Sequence, residues 1–220
     1  TVMAGNLAGI YMVRSLDPSW PWETDHFFHV FNRAALNWVL ESGGKRAALS
    51  TELSREQLAA LSWPEAVEML VFGDMEMMVS EFCLPGAALG KGQGRGSEKG
   101  QSCGMVCQSQ EYFLRDRLAY QFPLATDREC RMHIFNARKL NLVTEFNKIA
   151  NAGLKNIRLD LPRATPQQAR ETVRILQELW AEAAQGIEIS REKTERAMGK
   201  LEMLHPEGFT KGHFYSGVLT

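Results

Sequence analysis

The sequence predicts an α/β fold, on three observations. Short apolar runs of strand character, Val67–Phe72 the clearest of them, recur between segments of helical period. Helix-start signals follow several of these runs: Asn32, then Ser54 with Gln57, then Thr165-Pro166 with Gln168. With 220 residues, 45% hydrophobic and 23% charged, the chain can fill one sizeable core and solvate it.

Residues 1–4 read as a short strand, and Gly5-Asn6 open an amphipathic segment, Leu7–Val13, of helical character. The prolines of Asp17-Pro18-Ser19-Trp20-Pro21-Trp22 argue against a regular element there, which puts the next strand at His26–Phe31. His26 and His29 would face opposite sides of that strand, so they read as ordinary strand residues rather than as a ligand pair. Asn32 caps a helix over Arg33–Ser42 with Leu36, Val39 and Leu40 on one stripe, and Gly43-Gly44 end it. Arg46–Ser50 is a short strand. Ser54 and Gln57 start a short helix carrying Leu58 and Leu61, and Gly73-Asp74 close the strand Val67–Phe72.

Met75, Met77 and Met78 read as adaptable core packing. The glycine-rich stretch from Pro85 to Gly104 interleaves Lys91, Arg95 and Lys99 and fits neither phosphate-loop pattern, so it reads as a flexible linker, with a phosphate cradle as the alternative. Tyr112–Arg117 and Gln121–Leu124 are expected to be short antiparallel strands, with Arg131–Phe135 resuming the parallel scaffold. Asn136 is expected to cap a long helix to Ala152, which Gly153 ends. Asn156–Leu161 then reads as a buried strand. A helix from Thr165 to Ala184 turns Val173, Leu176, Leu179 and Trp180 inward, and Ser190–Leu201 is a further polar helix.

About six strands fall short of the eight that close a barrel of roughly 250 residues. The expectation is the later part of a TIM-like (β/α) barrel: one α/β domain over 1–220, a fragment of a longer chain, with a four-cysteine insertion at 83–130. A whole open α/β domain is the alternative. The start at Thr1, inside apolar sequence, agrees with a fragment.

All four cysteines, Cys83, Cys103, Cys107 and Cys130, fall in that insertion. A soft metal centre takes several thiolates at once: the close pair Cys103 and Cys107 would supply two from one segment, with Cys83 and Cys130 completing the shell. Zinc and an iron–sulfur cluster both qualify, and the spacing chooses neither. Two disulfides or four separate buried thiols are the alternatives, although no secretory signal favours disulfides.

A formal charge of -1 gives no global attraction to nucleic acid or anionic lipid, and no apolar run approaches the roughly 18 residues that cross a bilayer. A cytoplasmic protein with no membrane partner is expected. No His-Glu-x-x-His pair is present.

In parallel βα folds the working residues gather at the carboxyl ends of the strands, which marks Asn32, Ser50, Glu52, Asp74, Glu81, His133, Asn136, Arg158 and Asp160. Glu52 and Asp160 are acid/base candidates, and His133, close to Cys130, is a candidate donor beside the cysteine site. Asn32, Ser50, Asn136 and Arg158 are candidates for holding substrate, Arg158 for an anionic one. Each has an alternative role as a helix cap or a structural ion pair.

Six segments carry a resemblance: Leu49-Ser50-Thr51-Glu52-Leu53, Ser80-Glu81-Phe82-Cys83, Cys103-Gly104-Met105-Val106-Cys107, Tyr112-Phe113-Leu114-Arg115-Asp116-Arg117, Cys130-Arg131-Met132-His133-Ile134-Phe135-Asn136 and Gly208-Phe209-Thr210-Lys211-Gly212-His213-Phe214-Tyr215. In this order they resemble the U-thirty-two peptidase family, also called collagenase-like, from about Gly5 to Val218. The resemblance implies a TIM-barrel-like domain, here without its first strands, in a family labelled peptidase. Other members of that family act in hydroxylation of RNA bases, a tRNA modification, and in oxygen-independent ubiquinone hydroxylation, with four cysteines holding a four-iron four-sulfur (4Fe-4S) cluster. By that similarity Cys83, Cys103, Cys107 and Cys130 are the ligands, and the substrate is RNA or a small aromatic or quinone-like ring. A collagenase-like, metal-dependent peptidase acting on peptide substrates and a non-catalytic RNA-binding or assembly module are the alternatives. In each case the remaining segment of a longer chain is a partner.

Overall fold

Side-chain caps set where the first helices begin. Asn6 accepts a hydrogen bond from the Gly9 N–H (2.9 Å) at the head of α1 (Leu7–Leu16), and Asn32 accepts one from Ala35 (2.9 Å) at the head of α2 (Arg33–Glu41). Ser54 and Gln57 exchange bonds of 2.9 and 3.2 Å before α3 (Arg55–Ala60). Between these helices run β1 (Val2–Ala4), β2 (Trp22–Thr24), β3 (Arg46–Ala48) and β4 (Val67–Gly73). β4 is buried on both faces, as the middle strand of a parallel sheet must be.

The computed structural model describes residues 1–60, 65–89 and 104–217, in two units: Thr1–Gly73 with Leu140–Thr220, and Asp74–Lys139. Leu61 and the stretch holding Lys91, Arg95, Lys99 and Cys103 lie outside the described residues.

The second unit contains β5 (Glu76–Ser80), a short α4 (Leu84–Leu89), β6 (Tyr112–Arg115), β7 (Gln121–Thr126) and β8 (Met132–Phe135). Its sheet runs β5-β8-β7-β6, antiparallel throughout. The chain then continues through β9 (Lys139–Asn141), α5 (Phe146–Asn151), β10 (Asn156–Asp160), α6 (Pro166–Ala184), α7 (Arg191–Leu204) and β11 (Phe209–Thr210).

In the first unit β1, β2, β3 and β4 pair in parallel in sequence order, and β10 lies parallel on the other side of β4, Arg158 opposite Leu70 and Asp160 opposite Gly73. The end of β4 also pairs antiparallel with β9, Phe72 opposite Asn141 and Gly73 opposite Leu140. The core joins Leu36 and Val39 of α2, Leu58 of α3, Phe146 and Ile149 of α5, and Leu176 and Trp180 of α6. The Phe146 and Trp180 rings meet edge to face at 5.2 Å. Among the described residues no helix is long and apolar enough to cross a membrane.

Five expectations are corrected. The second strand is Trp22–Thr24, not His26–Phe31: Pro21 lies just outside it, its carbonyl accepting the Val2 N–H at 2.8 Å, and His26–Phe28 forms a 3-10 turn capped by Asp25. Met132–Phe135 does not resume the parallel sheet but pairs antiparallel with β5 and β7. Asn136 caps no long helix; its N–H donates to the Met75 carbonyl (2.8 Å), and β9 and a 3-10 turn at Val143–Glu145 precede a helix only at Phe146. Met77 and Met78 are exposed on β5 rather than packed in a core, and Val173 of α6 faces outward.

Candidate functional site

Each unit carries its own cluster of chemistry-bearing side chains. In the first, β10 presents Arg158 and Asp160 from one side of β4, and Asp25 follows the carboxyl end of β2. Arg158 Nε donates to Asp160 Oδ1 at 2.9 Å; its terminal nitrogens lie 3.5 Å from Glu68 Oε1 and 3.7 Å from Asp25 Oδ2. Glu68 also pairs with Arg46 at 3.4 Å. His26 Nδ1 stands 2.8 Å from Asp25 Oδ1 and 3.8 Å from Asp160 Oδ2.

Here three carboxylates surround one guanidinium, with an imidazole between two of them. Burial lowers the Arg158 pKa, but the hydrogen bond to Asp160 and the charges of Asp160, Asp25 and Glu68 outweigh it and raise it. Burial raises the Asp25 carboxyl, but the His26 hydrogen bond and charge and the Phe27 N–H hold it below its ordinary value. The arrangement sets the buried His26 Nδ1 beside the Asp25 carboxylate, while Arg158 fixes the orientation of Asp160.

The other expected residues of this unit have local partners. Asn32 caps α2 through its side-chain oxygen. Ser50 is buried, its N–H donating to the Val30 carbonyl (3.1 Å) and its Oγ accepting the Glu52 N–H (3.3 Å), which leaves Glu52 half-buried on that turn. Arg158 and Asp160 are therefore the expected residues brought together here. His26 and Asp25 join them, and sequence reasoning missed both because it placed the strand too far downstream. The usable signal was Asp25 as a turn cap directly after an alternating Trp-Glu-Thr.

In the second unit, sheet register decides where the cysteines go. Ser80, the last residue of β5, lies opposite Met132, the first of β8, and Thr126, the last of β7, also faces Met132. Tyr112, the first residue of β6, lies opposite Leu124 near the end of β7. Cys83 follows β5, Cys130 precedes β8 and Cys107 precedes β6, so all three attach to one end of the four-stranded sheet. The Tyr112 hydroxyl donates to the Val106 carbonyl at 3.1 Å, tying the Cys107 turn to that end, and α4, just after Cys83, packs against the same turn.

Cys83, Cys107 and Cys130 are free thiols, the first two half-buried and the third exposed. Cys83 Sγ accepts the Gly86 N–H at 3.4 Å. In chemistry and placement this donor set suits a soft metal centre, although among the described residues no three His, Cys, Asp or Glu side chains form an assembled metal-binding group. His133 on β8 stands 2.6 Å from Glu76 Oε2 through Nδ1 and 3.5 Å from Asp127 Oδ2 through Nε2. Asp74, expected at the rim, instead forms a buried ion pair with Lys139, and Glu81 is exposed.

A parallel α/β unit with a cysteine-bearing antiparallel insertion is the class this geometry defines. The chain belongs to peptidase family U32, whose family model matches residues 1–218. No curated protein and no solved structure gives a significant match.

Proposed function

We propose that this chain belongs to a cluster-dependent enzyme that hydroxylates an RNA base or a quinone-like ring. Cys83, Cys103, Cys107 and Cys130 would hold a 4Fe-4S cluster, with zinc as the alternative occupant. The observation carrying this reading is the register of the second unit's sheet, which attaches three free thiols to one of its ends. The sequential parallel order of β1, β2, β3, β4 and β10 supports placing the first unit within a TIM-like (β/α) barrel.

When bound, the cluster supplies single-electron transfer. The protein's own residues supply the rest. The Gly86 N–H donates to Cys83 Sγ. In the first unit Arg158 offers donors to an anionic or carbonyl-bearing ring, and Asp160 and His26 hold or accept a proton. Glu52 is a further carboxylate for acid/base work, and His133 and Asn136 serve the second unit.

Four thiolates make a closed shell with no open position for a hydrolytic water, which weighs against a metallopeptidase despite the family's name. Anaerobic reconstitution of the chain, followed by metal analysis, absorption and EPR spectroscopy, tests the proposal. A brown protein with about four irons per chain is the expected result. Colourless protein with stoichiometric zinc overturns the redox reading. Gelatin cleavage that vanishes in Glu52→Gln moves the chain to the peptidase reading.

A further inference from the structure

Cys130 adopts φ +62°, a left-handed conformation that a residue with a Cβ avoids unless its surroundings impose it. They do so through one side chain. Asp127 Oδ1 accepts the N–H groups of Glu129 and Arg131, both at 2.9 Å, and Oδ2 accepts Arg131 Nε at 2.7 Å. The backbone closes the same turn, Asp127 N–H to the Arg131 carbonyl and Cys130 N–H to the Asp127 carbonyl, both 3.1 Å. Thr126 and Met132, both opposed across β7 and β8, anchor the turn at its two ends. Glycine is the residue this backbone would ordinarily take, so a sulfur is being presented from a position that a side chain makes costly.

We propose that Asp127 is a positioning residue for the inorganic centre, holding the turn from which Cys130 donates its sulfur. The inference rests on the four-thiolate reading above and adds to it a residue that touches no metal. A ligand on a hairpin turn swings with that turn, and a carboxylate pinning two N–H groups and a guanidinium removes that freedom before the metal arrives. Asp127→Ala frees all of these donors. Asp127→Asn keeps the shape and one acceptor oxygen but gives up the charge facing Arg131.

The test loads iron anaerobically into the whole chain as wild type, Asp127→Asn, Asp127→Ala, Cys130→Ser and the double variant Asp127→Ala/Cys130→Ser. It then follows metal release to a chelator, the EPR spectrum of the reduced protein and the far-UV dichroism of the apoprotein. Zinc release is the readout where zinc is the metal taken up. Asp127→Ala should release metal about tenfold faster than wild type with unchanged dichroism, in line with the loss seen when groups that orient metal ligands are removed. Asp127→Asn should fall between them, with a shifted EPR signal. In the Cys130→Ser background Asp127→Ala should add nothing, because its effect passes through that sulfur. Equal retention by wild type and Asp127→Ala overturns the inference alone. So does equal acceleration with and without Cys130, which would mark a merely structural role. Wild type that takes up neither iron nor zinc overturns the four-thiolate reading and this inference with it.

Discussion

Gly73 shows how tightly a single residue can be specified. It sits at φ +141° where β4 passes β10, and a Cβ there would lie 1.9 Å from the Asp160 carbonyl oxygen. Gly73→Ala must therefore strain the backbone and push β10 away, at about 3 kcal/mol or more. Urea unfolding measures this, and near-wild-type stability would show that the pairing of β4 with β10 relaxes freely. Glu145 is specified by charge instead. Burial raises its carboxyl, but hydrogen bonds from Lys148, Tyr215 and Thr144 and the charge of Lys211 outweigh that and lower it from 4.5 to about 2. A folded-state pKa below the ordinary one stabilises the protein above the ordinary value, and that contribution is lost as pH falls from about 4.5 toward 2. After solvent screening it amounts to about 1–2 kcal/mol, so Glu145→Gln should be less stable at pH 7 and show a flatter acid limb in urea titrations. An unchanged acid limb in the variant would assign the acid sensitivity to other carboxylates.

At the scale of elements, local signals were legible where they were self-sufficient. Thr165-Pro166 with Gln168 produced the capping box of α6, Asn32 capped α2, and the apolar run of β4 formed the buried strand. What sequence could not show were elements made by long-range pairing. β9 exists because Asn141 and Leu140 lie against Phe72 and Gly73, and the buried Asn141 side chain accepts the Val143 N–H at 3.0 Å, so a stretch with helical character begins as a strand. The same holds for β5, whose methionines looked like core until pairing with β8 left Met77 and Met78 exposed. Asp74 and Lys139, the first and last residues of the second unit, form an ion pair with side chains only 2% and 4% exposed. Removing one partner, as in Lys139→Met, takes the opposite charge away from a buried ion and should cost about 3–5 kcal/mol. The double change Asp74→Leu/Lys139→Met should recover most of that loss, and a double-mutant cycle in urea checks it. A double variant as unstable as the single would show that the pair supplies more than mutual neutralisation.

For the whole molecule, the candidate site was legible by residue type more than by place. Cysteines mark a candidate site by residue type wherever they fall, whereas His26 became a candidate only once β2 had been moved upstream and Asp25 and Asp160 stood within 4 Å of its ring nitrogen. The two-unit organisation itself follows from one register. Gly73 and Leu140, the last residue before the second unit and the first after it, are direct antiparallel partners. Two paired residues can be joined by a two-residue turn, and Asn-Gly is the pair whose backbone preference matches that turn. Replacing Asp74–Lys139 with Asn-Gly should therefore leave the first unit folded, with its helical dichroism and a single cooperative unfolding transition, since its core residues all lie outside the deleted segment. Because every cysteine is within that segment, the shortened chain should bind neither iron nor zinc and be inert to thiol reagents. A shortened chain that lacks a cooperative transition would mean that the parallel sheet depends on its insertion for more than connection.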